Sequence, residues 1–314
     1  MILNKDTYDK YLEDYKAGKI RQGLGIDVPK LDDFLRYKQG NTNIVIGLDN
    51  VGKTVFMLWY YLVLSVKHDI KWVVWSGENN PSQLVRVLME FYKGKKLRDF
   101  TTNEIFATKE RILSWFQFVD FKGYYTSKDL FKIFEDSGAD AALIDPYSGM
   151  NRGLTHADNY QFLDDCRFFT NRTNMTLYTN VHPNSEAARS VFSKDDIFLD
   201  GEVAGYQKPP GKAQSEGGQP FASRTDDFIT LHRFVGHPLY QFKTMLYTRK
   251  IKDTETGGMA SSINDPIVFD YNKGLGFTCD GLNPLGNGVY DDGAFEKLKV
   301  NETFDVRNDD GMVF

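Results

Sequence analysis

TNIVIGLDNVGKTVFMLWYYLVLSVK, residues 42–67, carries three consecutive signals. TNIVIG (42–47) is a β-branched apolar run, the composition of a strand buried on both faces. GLDNVGKT (47–54) fits G-x-x-x-x-G-K-[ST], the loop that cradles nucleotide phosphates. VFMLWYYLVLSVK (55–67) is a long apolar helix candidate. Strand, loop and helix in this order are what such a loop needs, because the helix N-terminus adds further anion-binding N–H groups. Gly47 and Gly52 let the backbone turn tightly, and Asn50, Val51 and Val55 fill out the phosphate-binding stretch. Lys53 is placed to reach the β- and γ-phosphates, and the Thr54 hydroxyl to hold Mg²⁺. The expected ligands are therefore ATP or another NTP, with Mg²⁺.

Working outward, IKWVVWSGE (70–78), FQFVDF (116–121), ADAALID (139–145) and MTLYTNVH (175–182) read as further strands. Between them SQLVRVLMEFY (82–92), EIFATKERILSWF (104–116), SKDLFKIFEDSG (127–138) and HADNYQFLDDCRFFTNRT (156–173) read as helices, with Ser82 as the N-cap of the first. This alternation implies βαβ crossovers and a mainly parallel central sheet with helices on both faces. DDFITLHRF (226–234) reads as one more strand. KTMLYTRKIK (243–252) and PIVFDYN (266–272) read as a C-terminal β-hairpin arm. Residues 184–224 are rich in Gly, Pro, Ser, Lys and Asp and lose periodicity. Near the start, Tyr8, Tyr11, Leu12 and Tyr15 fall on one face of a helix over 5–17. The expected organisation is a docking helix within 1–22, an α/β core over 23–280, and an acidic tail over 281–314.

The chain has 314 residues and a net charge of −5, so no strong basic field advertises nucleic acid, although a ring can gather a few basic loops at its centre. Its two cysteines, Cys166 and Cys279, are far apart and in no metal spacing. The polar first residues resemble neither a signal nor a transit peptide. The longest apolar run, 55–64, is too short to span a bilayer. A cytoplasmic protein without a membrane partner is expected.

In an open α/β sheet, ligands bind at the carboxyl ends of the strands. Four polar groups fall there. Asp145 closes the apolar ALID (142–145) and suits a carboxylate that orients the water shell of Mg²⁺ beside Thr54. Glu78 closes VVWSGE (73–78) and suits the group that polarises an attacking water. His182 follows TLYTNV and suits a γ-phosphate sensor. The fourth is the phosphate loop itself.

The ordered series resembles the RecA-type core of ring-forming replicative helicases, the DnaB-like family with the bacteriophage primase–helicases and Twinkle. The resemblance covers roughly residues 20–280 and rests on GLDNVGKT, WSGENNPSQLVRVL, IDPYSGM, NVHPNSEA, SEGGQPFASRTDDFITLHR, TRKIKDTETG and IVFDYNKGLGF. It implies a P-loop NTPase that assembles as a ring, usually a hexamer, with NTP between subunits and 5′→3′ movement on single-stranded DNA. It implies that Lys53 and Thr54 hold phosphate and Mg²⁺, that Glu78 activates water, that Asp145 supports the metal, and that His182 senses the γ-phosphate. Arg233 and Tyr271 match positions that flank the base. A cationic finger for the neighbour's γ-phosphate is implied within the hairpin. The aligned position is Lys252 rather than an arginine, and Arg249 through a shifted register and Lys250 are the alternatives.

DNA contacts in the family come from loops after the Mg²⁺-carboxylate strand and after the sensor strand. Arg152, Arg189, Lys194, Lys208 and Lys212 are the matching cations. The resemblance further implies primase, polymerase or loader partners, a docking role for the first helix, and a phage source, with the host cytoplasm as its location. Two other readings stay open on the same residues. One is a RecA/RadA-like recombination or regulatory ATPase; the other is a weakly hydrolysing accessory P-loop protein.

Overall fold

The computed structural model describes residues 4–196 and 198–286. The chain opens with a helix, Lys5–Lys16 (α1), then Gln22–Leu24 (β1), Pro29–Asp32 (α2) and Tyr37–Lys38 (β2), with β1 and β2 paired antiparallel. The alternating part follows: Thr42–Ile46 (β3), Lys53–His68 (α3), Trp72–Ser76 (β4), Pro81–Lys93 (α4), Thr102–Trp115 (α5) and Phe116–Phe118 (β5). It continues with Ser127–Ser137 (α6), Ala141–Asp145 (β6), His156–Thr173 (α7) and Thr176–Val181 (β7). Beyond these come Ser185–Arg189 (α8), Gln219–Ser223 (α9), Asp227–His232 (β8), Lys243–Lys250 (β9), Thr254–Gly257 (α10), Ile267–Tyr271 (β10) and Phe277–Thr278 (β11).

One nine-stranded sheet runs in the order β11-β10-β9-β8-β3-β7-β6-β4-β5. The six strands from β8 to β5 are parallel, and β9, β10 and β11 add on antiparallel. The expected hairpin is present as β9 and β10, and it is laid on the main sheet through β8. β3, β4, β6, β7 and β8 are buried at every residue, because helices cover both faces. This is the mainly parallel, helix-flanked α/β fold that the alternation predicts.

The core has a cluster on each face. On one, α3 is buried continuously from Phe56 to Ser65, as a helix that is apolar all round should be. The strands β10 and β11 are the reason: the ring of Trp59 sits 5.6 Å from Phe269 and 5.3 Å from Phe277. On the other face Phe131 stacks on Phe169 at 4.7 Å, and Tyr147 meets Phe162 and Phe221 at 4.6 and 5.1 Å.

Two expectations need correction. Ser82 is not the N-cap of α4. Asn80 is, its side chain accepting from the Ser82 N–H, and Pro81 takes the first helical position, where its missing N–H costs nothing. Residues 184–224 are not structureless either. They contain α8, α9 and two 3₁₀ turns, and Phe192, Phe198 and Val203 form a small core with Phe234, Met245 and Tyr247. Of the expected tail, residues 287–314 lie outside the described residues, while Leu285 is buried against the α3 cluster. Among the described residues no helix is long and apolar enough to cross a membrane.

No residue of α1 is buried, and Tyr8, Tyr11, Leu12 and Tyr15 are all more than half exposed. Trp59→Ala should therefore cost about 3–5 kcal/mol of stability in urea unfolding, whereas Tyr11→Ala should fall within about 0.5 kcal/mol of wild type. A comparable loss for both would show that α1 packs on its own core.

Candidate functional site

The P-loop leaves β3 at Gly47. A side chain there would come within 2.5 Å of the Leu231 carbonyl, so the close approach of β8 requires glycine. Gly52 is needed for conformation, with φ at +85° in the left-handed region. α3 begins at once with Lys53, whose Nζ donates to the carbonyls of Gly47 at 2.8 Å and Leu48 at 3.3 Å. Burial lowers the Lys53 pKa, and the carboxylates of Asp145, Asp49, Glu78 and Glu216 oppose that shift.

The Thr54 hydroxyl donates to Asp145 Oδ2 at 2.8 Å. Asp145 is 2 % exposed and accepts two more strong bonds, from Asn180 Nδ2 at 2.6 Å and Ser76 Oγ at 3.2 Å. Burial raises its pKa, while these hydrogen bonds pull it back. Among the described residues no group of three or more His, Cys, Asp or Glu side chains is placed to hold a metal alone. A Thr hydroxyl beside one carboxylate suits Mg²⁺, which keeps most of its waters and shares phosphate oxygens. Thr54 and Asp145 thus fit the ion as the residues that would hold it.

His182 stands between two acids. Its Nε2 lies 3.4 Å from Glu78 and its Nδ1 3.5 Å from Asp49 of the P-loop. The Glu78 carboxylate is more than half exposed at the end of the turn after β4. The His182 backbone N–H donates to Glu216 at 3.3 Å, and the other Glu216 oxygen pairs with Arg152 at 3.3 Å. The Arg152 guanidinium also lies 4.2 Å above the Tyr147 ring. Arg152, from the stretch after β6, is thereby joined to the segment after β7.

Arg233 follows β8 and donates to the Asn50 carbonyl at 2.5 Å. Its charge acts on Tyr271 at the end of β10, opposing the upward shift that burial gives that phenol. The other cations lie elsewhere. Phe228 pairs with Lys250 and His232 with Met245, so Lys250 and Lys252 stand at the end of the sheet opposite the P-loop, while the Arg249 side chain reaches along β8 and its Nε donates to Thr230 Oγ1 at 3.3 Å. Lys252 pairs with Asp226 at 2.9 Å, Lys250 donates to the carbonyls of Ala222, Ser223 and Thr225, and Arg249 lies 4.5 Å above Tyr247. Arg189, Lys194 and Lys212 are exposed, and Lys208 pairs with Asp196 at 3.1 Å.

Sequence reasoning passed over Asn180, Ser76, Asp49, Glu216 and His232. Asn180 is legible in hindsight as the amide inside the otherwise apolar end of TLYTNV. Glu216 carries no local signal, since its partners are 34 and 64 residues away.

No protein-family model matches the chain, and no sequence of a curated protein does. Solved structures do share its fold. The ATPase domain of G40P is 13% identical with a TM-score of 0.66, covering 88% of this chain and 97% of that one. A DnaB-like replicative helicase, solved with a view to its interactions with primase, is 14% identical with a TM-score of 0.61, covering 88% of this chain and 67% of that one. A KaiC-like protein, PH0186 from Pyrococcus horikoshii, is 15% identical with a TM-score of 0.55, covering 83% and 99%. The fold is RecA-like.

His232, beside the P-loop, gives a pH test. Burial, with Arg249 adding to it, lowers its pKa from 6.5 to about 3. Between those values the unfolded chain holds a proton on this ring that the folded chain does not, so stability is lost as pH falls through that window. His232→Phe should flatten the acid limb of the stability profile, read as urea midpoints from pH 7 to pH 4. An unchanged limb would place the acid sensitivity in other groups.

Proposed function

We propose that this chain is the motor core of an NTP-driven ring helicase acting on single-stranded DNA. The observation that carries the reading is the convergence of Lys53, Thr54, Asp145, Glu78 and His182 on one edge of a RecA-like sheet. In this reading Lys53 leaves the Gly47 and Leu48 carbonyls for the β- and γ-phosphates, and the loop's N–H groups take up the remaining charge. Mg²⁺, when bound at Thr54 and Asp145, neutralises phosphate charge in the transition state. Glu78, open to solvent, orients and polarises the attacking water. His182, bridging Glu78 and Asp49, registers whether a γ-phosphate is there. Arg233 and Tyr271 flank the base.

The site is then half of a pair. Lys250 and Lys252 stand at the far end of the sheet, so Lys252, with Lys250 beside it or Arg249 through a shifted register, serves the γ-phosphate of the next protomer. A ring, by resemblance a hexamer, brings the two halves together, with the exposed tyrosine face of α1 as the surface that docks on the neighbour. Arg152, Arg189, Lys194, Lys208 and Lys212 line the strand's path, and movement is 5′→3′ by the same resemblance. Primase, polymerase and loader are partners in this scheme.

A weakly hydrolysing accessory P-loop protein is the second reading. It is favoured by the lysine at 252, because an ammonium cannot make the bidentate fork of a guanidinium and here it is already paired with Asp226.

ATP hydrolysis with and without single-stranded DNA separates them. The helicase reading expects turnover stimulated by the strand. Lys53→Ala should abolish it, and Glu78→Gln should lower it by about 10²–10⁴-fold while still binding ATP. Turnover indifferent to DNA would sink the helicase reading. For the finger, Lys252→Ala and Lys53→Ala subunits, each inactive alone, should recover hydrolysis when mixed, because the intact cradle of one meets the intact finger of the next. No recovery, for Lys252→Ala and Arg249→Ala alike, would place the finger elsewhere.

A further inference from the structure

The ring of His182 meets Glu78 and Asp49, but its backbone meets a third acid, Glu216, in the segment before α9. The Glu216 N–H donates to the His182 carbonyl at 2.8 Å, and the His182 N–H donates to one oxygen of the Glu216 carboxylate at 3.3 Å. Pro183 and Ser215 form an antiparallel bridge beside this pair. Glu216 is therefore clasped to the end of β7. Burial raises its pKa, while the His182 N–H and the charges of Arg152, His182 and Lys53 oppose that shift. Two of those three groups belong to the NTP site. The third comes from the loop after β6.

Arg152 is held less firmly than its partner. It reaches Glu216 through Nη2 alone, at 3.3 Å, rather than through the two-pronged fork that a guanidinium makes with a carboxylate. Its Nη1 donates to the neighbouring Gly153 carbonyl at 3.4 Å, and its Nε is buried without a partner. Such a guanidinium is short of acceptors, and a phosphodiester group supplies two charged ones. Among the cations assigned to the strand, Lys208 also has an acid, Asp196. That acid bonds back to Ser193 of its own segment. The acid of Arg152 bonds instead to His182.

We propose that Glu216 couples the single strand to the NTP: a strand phosphate takes Arg152 from it, and the freed carboxylate then competes with the NTP phosphates for Lys53 and His182. The inference rests on the function proposed above. Because Glu216 is fixed to the end of β7, Arg152 is the partner that leaves. A mostly buried carboxylate without a counter-ion is costly, so its claim on the remaining groups strengthens as Arg152 departs. Strand binding thus loosens the grip on the phosphates. By linkage, phosphates that engage Lys53 and His182 tighten Arg152 on Glu216. Glu216 touches neither ligand, so it is a positioning residue.

The test uses the full chain, a labelled oligothymidylate and a non-hydrolysable ATP analogue. Glu216→Gln keeps an oxygen for the His182 N–H and drops the charge, which releases Arg152 to the strand. In fluorescence anisotropy this variant should bind the oligonucleotide about two- to fivefold tighter than wild type, the scale of a partly exposed ion pair. A merely structural tie between the two loops would give equal or looser binding. Adding Arg152→Gln to Glu216→Gln should remove the gain; a gain that survives overturns the role of Arg152 and the coupling with it. The second arm stands even if the variant fails to fold. Saturating oligothymidylate should weaken the Kd of wild type for the analogue by about two- to fivefold, the same ion-pair scale. An unchanged or tighter Kd overturns the coupling. Wild type that binds the strand, beside a Glu216→Gln variant that binds it no tighter, overturns the coupling and leaves the helicase reading intact. Wild type that binds no strand overturns both.

Discussion

The carboxylate of Asp145 is buried at the carboxyl end of β6, and the geometry of the site follows from how it is satisfied. An unpaired charge at such depth costs several kcal/mol, so donors have to arrive from the surrounding elements. They come from three: Thr54 in the first turn of α3, Ser76 at the end of β4 and Asn180 in β7. β6 lies between β4 and β7, and the parallel register places Ser76 beside Asp145 and Thr179 beside Ile144. Meeting the needs of one acid therefore fixes where α3 starts and where its two neighbouring strands end. Glu78 and His182, each two residues or fewer beyond those anchors, inherit positions on the same edge. The 3.4 Å between them is a consequence of strand register rather than of any local motif.

This explains which parts of the molecule were legible in the sequence. β3, α3 and α7 lie within a residue or two of their expected bounds because each declares itself by a continuous apolar run or by helical periodicity. The strand-end acids were legible because a polar residue closing an apolar run is a local pattern. Residues 184–224 were not, and the reason is physical. Their core is made of Phe192, Phe198 and Val203, spaced without period, and it closes only against Phe234, Met245 and Tyr247 from elements that come later in the chain. Glu216 and His232 escaped for the same reason: the one is defined by long-range partners, the other by partners it lacks.

The same logic separates the two ends of β8. Arg233, at its carboxyl end, bonds to the P-loop, and Asp227, at its amino end, lies beside Lys252 and holds Lys38 in a buried pair at 2.7 Å. Six residues of strand set these ends about 20 Å apart, well beyond the reach of a lysine. A cation on the turn after β9 cannot serve the phosphates bound in its own protomer, whatever rotamer it takes. In the proposed ring that distance is what makes turnover a property of the assembly. In that proposal each protomer would offer a cradle, a metal position and a water activator on one edge of its sheet, and the charge that completes the transition state on the other. The Lys252–Asp226 pair then has a role as a resting place: the ammonium is exposed, and the buried Asp226 carboxylate keeps Arg167 at 3.1 Å and the Thr42 N–H at 3.0 Å when the lysine leaves.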